Sequence, residues 1–349
     1  MKGVEVSIIF YSDPHFGLAR TTHTTPASRD RLKAEIVAAV AKVYEYSKEK
    51  GSPVICLGDF FDTENVSNAD MVQAGPFWES ALMVLQGNHD STNRDSSRSS
   101  YEVFNALKRR GASDPLCLQD CFLYSVPHCP TQEAFMAALD QAEESGRQAG
   151  DPAEYEIESK LLLLHCNYAS PFDLNESSLN LTRERAQALL EVYDRILIGH
   201  EHTARTDLDG KVVLLGSVFP TGFDNLTDKY FWEYLPEFDE LQQIPLWQAK
   251  ASVVRCPWET PDVEEGAQFV EFTGAASAQD LPKISAMIAN LWRACPSLLM
   301  VKNSADVEST LPEFKTQEAS TLSIPDAISK ALQGTDLEEL WNHYKAQHE

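Results

Sequence analysis

The sequence is poor in basic residues. Lys and Arg together number 29 against 53 Asp and Glu, so the formal net charge at pH 7 is −24. Because no basic surface can dominate such a chain, the composition counts against a self-sufficient DNA-binding module. It leaves a DNA-processing enzyme open, since a metal ion, a basic loop or a basic partner can supply positive charge locally.

Long apolar runs are also lacking. The densest run, residues 161–166, is far shorter than the roughly 18 apolar residues of a membrane helix, and the first ten residues are typical of a strand rather than of a signal peptide. The 7 cysteines are odd in number and include no Cys-x-x-Cys pair, which indicates reduced thiols. We therefore expect a soluble, cytoplasmic protein with no membrane association.

The composition, 43% hydrophobic and 23% charged, is that of a globular protein and excludes disorder, collagen and coiled coil. Residues 28–50 place Ile36, Val40 and Val43 at helical spacing between two apolar runs. The order strand, helix, strand predicts an α/β layered sheet. The apolar runs typical of buried strands are residues 6–12, 53–57, 82–85, 122–126, 161–164, 196–198 and 212–215.

After Gly216 the pattern changes. The aromatic residues between 219 and 238 predict hairpin strands that close the first domain, and residues 257–266 are interpreted as a linker. The segments that follow predict a small β-α-β cap. They are a strand at 268–272, a helix at 278–294 and a strand at 298–302.

The end of the chain predicts two helices, residues 323–332 and 335–346. The second carries an apolar stripe at i, i+3, i+4 and i+7 that includes Trp341. This stripe either packs on this chain or docks on a partner. The predicted domains are residues 1–250, 251–308 and 309–349.

Side chains that can bind metal are concentrated directly after the predicted strands. The carboxyl ends of strands are where α/β sheets form their sites, so five separate segments can converge on one place. Asp, Asn and His supply oxygen and imidazole ligands without thiolate, which suits manganese, iron or zinc. The segments are SDPH at 12–15, GDFFD at 58–62, GNHD at 87–90, His165 and GHEH at 199–202.

A carboxylate that bridges two ions holds them roughly 3.5–4 Å apart, an arrangement that activates water and neutralises a phosphoryl transition state. Asp59, which follows the second predicted strand, is the natural bridge. Gly58 and Gly87 allow tight turns that aim the next side chains over the sheet edge.

The ordered set D-x-H, GD-x-x-D, GNHD, a single His and GHEH resembles the calcineurin-like metallophosphoesterase superfamily. The resemblance implies an α/β fold of four layers, in which two β-sheets are flanked by helices, followed by the β-α-β cap and C-terminal helices. It also implies two divalent metal ions, with Mn²⁺ expected first and Mg²⁺, Fe²⁺ or Zn²⁺ as alternatives. The implied ligands are Asp13, His15, Asp59 and His202 for the first ion and Asp59, Asn88, His165 and His200 for the second.

The same resemblance implies roles for three neighbouring residues. His89 becomes the general acid, and Asp90 is grouped with it as a catalytic residue. Asp62 and Asp90 are expected to orient metal ligands or the His89 ring.

Within the superfamily, the chain most resembles the SbcD-type DNA repair nuclease subunit in a compact, phage-like form. The features are SDPHFG at 12–17, LLGSVFPTGFDN at 214–225, and the cap followed by C-terminal helices. This likeness implies a metal-dependent DNA exonuclease and endonuclease domain in residues 1–250 and a capping, DNA-binding domain in 251–308. It further implies a homodimer, and an SbcC-type ABC ATPase bound through the helices of 309–349.

Other interpretations stay open. The same metal site could serve a small-substrate phosphodiesterase or a phosphomonoesterase, and a third class is a non-catalytic scaffold. Arginines in or near the ligand loops are candidates for phosphate contacts, or are simply solvated: Arg20, Arg29, Arg31, Arg94 and Arg98. Four histidines match no motif and are interpreted as ordinary: His23, His128, His343 and His348.

Overall fold

The computed structural model describes residues 7–92, 98–108, 115–118, 121–148, 159–170, 179–307 and 341. The helices are α1 (Pro26–Lys50), α2 (Asn68–Ser80), α3 (Ser100–Lys108), α4 (Gln132–Gln148), α5 (Arg183–Leu189), α6 (Ala249–Ser252) and α7 (Leu281–Ala294). The strands are β1 (Ile8–Tyr11), β2 (Val54–Cys56), β3 (Met83–Val84), β4 (Leu116–Leu118), β5 (Cys121–Val126), β6 (Ser159–His165), β7 (Asn167–Tyr168), β8 (Asn180–Leu181), β9 (Arg195–Gly199), β10 (Arg205–Asp207), β11 (Val212–Leu214), β12 (Lys229–Leu235), β13 (Glu240–Trp247), β14 (Val253–Pro257), β15 (Phe269–Thr273), β16 (Ala275–Ala276), β17 (Met300–Asn303) and β18 (Asp306–Val307).

Two large sheets form the body of the described chain. The first has the order β13-β12-β1-β2-β3, with β1, β2 and β3 parallel and β12 antiparallel to β1. The second has the order β10-β11-β9-β6-β5-β4, parallel at its centre and antiparallel at both edges. The predicted ligand motifs follow β1, β2, β3, β6 and β9, so the parallel strands bring them to the carboxyl edges of both sheets.

The leucine run of β6 shows how the two sheets pack. Successive side chains of a strand point to opposite faces. Leu161 and Leu163 lie in the core between the sheets, where they meet Ile55 of the first sheet. Leu162 and Leu164 pack on the outer face, in the core that α4 and α5 cover. The uninterrupted apolar run is therefore that of a strand buried on both faces.

Helix α1 covers the outer face of the first sheet. Its residues Ile36, Val40 and Val43 are buried there, as the helical spacing predicts. The helix starts two residues before the predicted position, because Thr25 caps it: the Thr25 side chain accepts from the Ser28 N–H, and the Thr25 N–H donates to Ser28 Oγ. The order helix, sheet, sheet, helix confirms the α/β sandwich expected from the sequence.

The predicted aromatic hairpin is present but lies further along the chain. Strands β12 and β13 pair in an antiparallel hairpin, and β12 also pairs with β1, so the hairpin extends the first sheet. Residues 219–228 are not strands. They form a loop with a short 3₁₀ helix at Phe223–Asn225, because this segment runs over the ligand edge rather than along the sheet.

A smaller parallel sheet, β14-β15-β17, carries α7 between its second and third strands. The predicted strand, helix and strand are therefore present. The interpretation of residues 257–266 as a linker is wrong, because β14 pairs with β15 and this segment only connects two strands of one sheet. The sheet packs on the body through the Phe269 ring, which contacts Phe219, Phe223 and Trp247.

The predicted C-terminal helices at 323–332 and 335–346 lie outside the described residues, apart from Trp341. Within the described part of the chain, every helix is too short or too polar to cross a membrane.

The packing of the core between the sheets can be tested by mutation of a buried leucine. Leu163 is fully buried there, so Leu163→Ala should lower the free energy of unfolding by about 2–5 kcal/mol through lost burial and a cavity. Val72 is 76% exposed, so Val72→Ala should change the free energy of unfolding by less than about 0.5 kcal/mol. Urea unfolding of both variants measures the difference; equal values would contradict the assigned core.

Candidate metal centre

Two glycines let the ligand loops approach each other. A Cβ atom on Gly58, which has φ 101°, would lie 2.2 Å from Nδ1 of His165. A Cβ on Gly87 would lie 2.1 Å from Oδ1 of Asp59. Both contacts are closer than real Cβ atoms allow. The loop after β2 can therefore meet β6, and the loop after β3 can meet the loop after β2, only where these side chains are absent.

The first ligand cluster contains Asp13, His15 and His202, with one ligand atom from each within 4.8 Å of the others. The Nε2 atoms of His15 and His202 are 3.0 Å apart. Oδ1 of Asp13 lies 4.0 Å from Nε2 of His202. Loops after β1 and β9 therefore place three of the implied ligands of the first ion in one group.

The second ligand cluster contains Asp59, His165 and His200. Asn88 joins it, because its Oδ1 lies 3.1 Å from Nε2 of His165 and 2.9 Å from Nδ1 of His200. All four implied ligands of the second ion thus meet at the ends of β2, β3, β6 and β9. Within the described residues, every predicted ligand falls in one of the two clusters.

Asp59 stands between the clusters. Its Oδ1 is 3.3 Å from Nε2 of His165, and its Oδ2 is 4.0 Å from Nε2 of His15. The carboxylate is almost fully buried, and it accepts the backbone N–H of His89 at 2.9 Å. One oxygen faces each cluster, which is the placement that a bridging carboxylate needs.

The hydrogen bonds of His165 fit a metal ion. Its Nδ1 is 2.7 Å from the carbonyl of Leu57, which can only accept, so Nδ1 carries the proton. In the neutral ring, Nε2 then presents a lone pair to Oδ1 of Asn88 and Oδ1 of Asp59. Either a proton on Nε2 or a metal ion satisfies these two oxygens, and the oxygen and imidazole donors suit a divalent ion.

The pKa shifts of His165 and His15 also favour a cation at this site. Burial lowers the pKa of His165, but the charge and hydrogen bond of Asp59, together with the charge of Asp13, outweigh it and raise the pKa to about 9. Burial likewise opposes a charge on His15, yet Asp62 and Asp59 raise its pKa. The buried carboxylates therefore favour positive charge at this place, whether protons or metal ions supply it.

The other two imidazoles are held neutral. Burial, and then the charge of His165, lower the pKa of His200 to about 4. Burial, and then the charge of His15, lower the pKa of His202 to about 3. A neutral imidazole is the form that binds metal.

Several ligand candidates have left-handed backbone conformations. The φ angles are 53° at Asp13, 48° at His15, 45° at Asp59 and 88° at His200. Such conformations cost of order 1–3 kcal/mol each and persist where surrounding structure compels them, often at functional sites. The turns aim these side chains back over the sheet edges, at a cost in stability.

His89 lies at the mouth of an open cleft of about 750 Å³. Its side chain is 42% exposed, in contrast to the buried ligands. Its Nδ1 is 2.5 Å from the carbonyl of Asp62 and donates to it, which fixes the ring. Nε2 is then the atom available to a substrate, as a proton donor requires.

Asp90 does not have the catalytic role that the sequence analysis assigned to it together with His89. It is fully buried, and its carboxylate accepts backbone N–H groups of Phe60, Phe61 and Gly87 at 2.9–3.2 Å. These bonds join the loops after β2 and β3. Asp90 therefore positions ligands from beneath the site, and Asp62 rather than Asp90 holds the His89 ring.

The structure adds residues that sequence reasoning missed. Asn225 Nδ2 and Thr221 Oγ1 lie 3.0 Å and 3.3 Å from Nδ1 of His202, and Lys229 donates to the His202 carbonyl at 2.7 Å. Thr221 and Asn225 belong to the segment LLGSVFPTGFDN, and the resemblance of this segment was the sequence feature that could have identified them. His128, interpreted as ordinary, lines the cleft beside Asn88 and His89.

The bridging position of Asp59 can be tested by metal content. Asp59→Asn removes a charge that faces both clusters, so the affinity for both Mn²⁺ ions should fall. Loss of a residue that merely orients a ligand typically lowers metal affinity 10–100-fold, so loss of this ligand should lower it by roughly 100-fold or more. His200→Ala should weaken one ion only. Equilibrium dialysis followed by elemental analysis measures both.

Asp209→Asn is the matched control, because Asp209 is exposed and its left-handed backbone suits asparagine. It should bind as much Mn²⁺ as the parent protein. Retention of one tightly bound ion by Asp59→Asn would show that Asp59 does not bridge.

The chain has distant similarity to two solved structures. The chain is similar to the NAD nucleotidase of Haemophilus influenzae at 12% identity and a TM-score of 0.38, covering 69% of this chain and 49% of that one. It is also similar to a predicted phosphoesterase of Streptococcus pneumoniae at 14% identity and a TM-score of 0.27, covering 69% of this chain and 97% of that one. The chain thus spans about half the length of the nucleotidase.

A search of curated proteins finds no match. A family model does match: the calcineurin-like phosphoesterase superfamily domain, over residues 6–226. This region is more than half of the chain and contains both ligand clusters. The protein therefore belongs to the calcineurin-like phosphoesterase superfamily, a group of metal-dependent hydrolases.

Proposed function

We propose that this protein is a two-metal phosphodiesterase that cleaves DNA. The observation that carries the proposal is the pair of ligand clusters that share Asp59 below the exposed His89. Two ligand sets joined by one carboxylate, with an imidazole at the cleft mouth, suit hydrolysis of a phosphate ester.

Different residues of the site bind the metal ions and donate the proton. The two ligand clusters would hold two divalent ions, whose charge would serve to polarise a water molecule and to neutralise the phosphoryl group. Asp13, Asp59 and the ligand imidazoles hold this positive charge in place. His89 gives a proton from Nε2 to the departing oxygen, while its Nδ1 stays bonded to the Asp62 carbonyl.

The cleft is open enough to admit a diester within a chain as well as a small ester. Its volume is about 750 Å³ and it opens to solvent at the exposed His89, so a strand can continue beyond the reacting phosphate. DNA as the substrate is supported by the resemblance of SDPHFG and LLGSVFPTGFDN to the SbcD-type nuclease subunit. A small-substrate phosphodiesterase or phosphomonoesterase is the alternative outcome of the test below.

We extend the proposal to the partners that this resemblance implies. The protein acts as a homodimer, and an SbcC-type ABC ATPase binds the C-terminal segment, residues 309–349. The net charge of −24 supports such a partner, because a polyanion such as DNA needs positive charge that this chain has in short supply. The cytoplasm, where thiols stay reduced, is the matching location.

The role of His89 is tested with end-labelled linear duplex DNA and Mn²⁺, beside a chromogenic phosphodiester and a phosphomonoester. His89→Ala should lower DNA cleavage by roughly 10²- to 10⁴-fold, the usual contribution of a general acid, and should leave the bound Mn²⁺ unchanged. An equal fall in metal content would contradict the assigned role.

His23→Asn is the control for this experiment. His23 is exposed and has φ 64°, a conformation that asparagine tolerates. Cleavage by this variant should equal that of the parent. Hydrolysis of the small esters with intact DNA, also in the presence of the ATPase, would favour the small-substrate alternative.

The partner is tested by deletion. Removal of residues 323–349 should spare Mn²⁺-dependent cleavage and abolish co-purification with the ATPase, because the predicted helices supply the docking face. Co-purification of the shortened protein at the parent level would refute this part of the proposal.

A further inference from the structure

The cleft has one cationic side chain among its described lining residues, Arg20, which is exposed. Asp62 and Glu64 line the same cleft and repel a phosphate. In a chain with 53 acidic residues against 29 basic ones, an arginine at this position has a specific electrostatic consequence: it makes one part of the cleft attractive to an anion.

Local contacts define where Arg20 lies. Its carbonyl accepts a hydrogen bond from Thr24 Oγ1 at 2.8 Å. Its guanidinium lies over Gly222, where a Cβ atom would come within 3.3 Å of Nη2. Oδ1 of Asp224 would lie 2.6 Å from the same Cβ atom, but among the described residues none accepts a hydrogen bond from the Arg20 side chain or forms an ion pair with it. The guanidinium donors therefore remain available to a ligand.

Arg20 lies on the side of the first ligand cluster. Gly222, which it covers, follows Thr221, whose Oγ1 is 3.3 Å from Nδ1 of His202. His128 lies on the other side, because it follows β5, the neighbour of β6, which ends at His165 of the second cluster. The lining of the cleft thus includes Arg20 on the side of the first cluster, His128 on the side of the second, and His89.

We propose that Arg20 binds the phosphate next to the one that is cleaved, and that the site thereby selects substrates with at least two consecutive phosphodiesters. This inference rests on the proposed function and names its substrate class. Guanidinium groups bind phosphate through paired, charge-assisted hydrogen bonds. A lone phosphate ester held at the metal ligands has no second phosphate to place there, so it gains nothing from Arg20.

The experiment uses thymidine trinucleotides with Mn²⁺ and the full-length protein. In one compound both linkages are phosphodiesters, and in two others either linkage is an uncharged methylphosphonate. Product analysis gives kcat/KM at each phosphodiester with a charged or a neutral neighbour. At one of the two positions, the charged neighbour should raise kcat/KM about tenfold or more in the parent, since a hydrogen bond to a charged group contributes roughly that factor.

Arg20→Met should abolish this preference, and Arg20→Lys should retain part of it, because lysine keeps the charge without the planar pair of donors. Lys42→Met is the matched control: Lys42 is an exposed residue of α1 outside the cleft lining. It removes the same charge and should keep the preference. Thermal unfolding and Mn²⁺ content verify that each variant is folded and loaded.

Three results would overturn the inference. A parent protein that cleaves these compounds without regard to the neighbouring charge has no second phosphate site. A preference that survives in Arg20→Met places that site elsewhere. A parent protein that cleaves neither these compounds nor linear duplex DNA, also in the presence of the ATPase, refutes the proposed function, and the inference with it, whereas the first two results leave the proposed function standing.

Discussion

The burial of the Asp59 carboxylate is the constraint on which the rest of the site depends. A charge removed from water is costly unless opposite charge and hydrogen bonds surround it. The structure provides the His89 N–H at 2.9 Å and Nε2 of His165 at 3.3 Å. Because one oxygen faces each ligand cluster, the same carboxylate that demands positive charge also sets where two cations can lie.

The surrounding loops adopt strained backbone conformations that bring the other ligands close to Asp59. Left-handed backbone at Asp13, His15 and His200 and the absence of side chains at Gly58 and Gly87 bring segments from both sheets together. Asp90 then joins two of these loops through three backbone N–H groups. Rigid strands below and strained turns above hold the ligands in one arrangement.

The loop of residues 219–228 connects the site with the smaller sheet. Thr221 and Asn225 contact the His202 ring, while Phe219 and Phe223 pack on Phe269 of β15. A displacement of the smaller sheet would therefore reach a ligand of the first cluster through packed aromatic rings. The same loop supports Arg20 through Gly222, so the wall of the cleft and the ligand geometry depend on one segment.

The sequence by itself determined the α/β class, the helix around Ile36, Val40 and Val43, and the positions of the ligand motifs, because each depends on residues that are close along the chain. The general rule for the carboxyl ends of strands then predicted their convergence. Tertiary structure alone decided that β14 belongs to the smaller sheet, that Asp90 binds backbone of the Asp59 loop, and that His128 lines the cleft. These features join residues that are distant in sequence, and their contacts follow from packing, which no local pattern encodes.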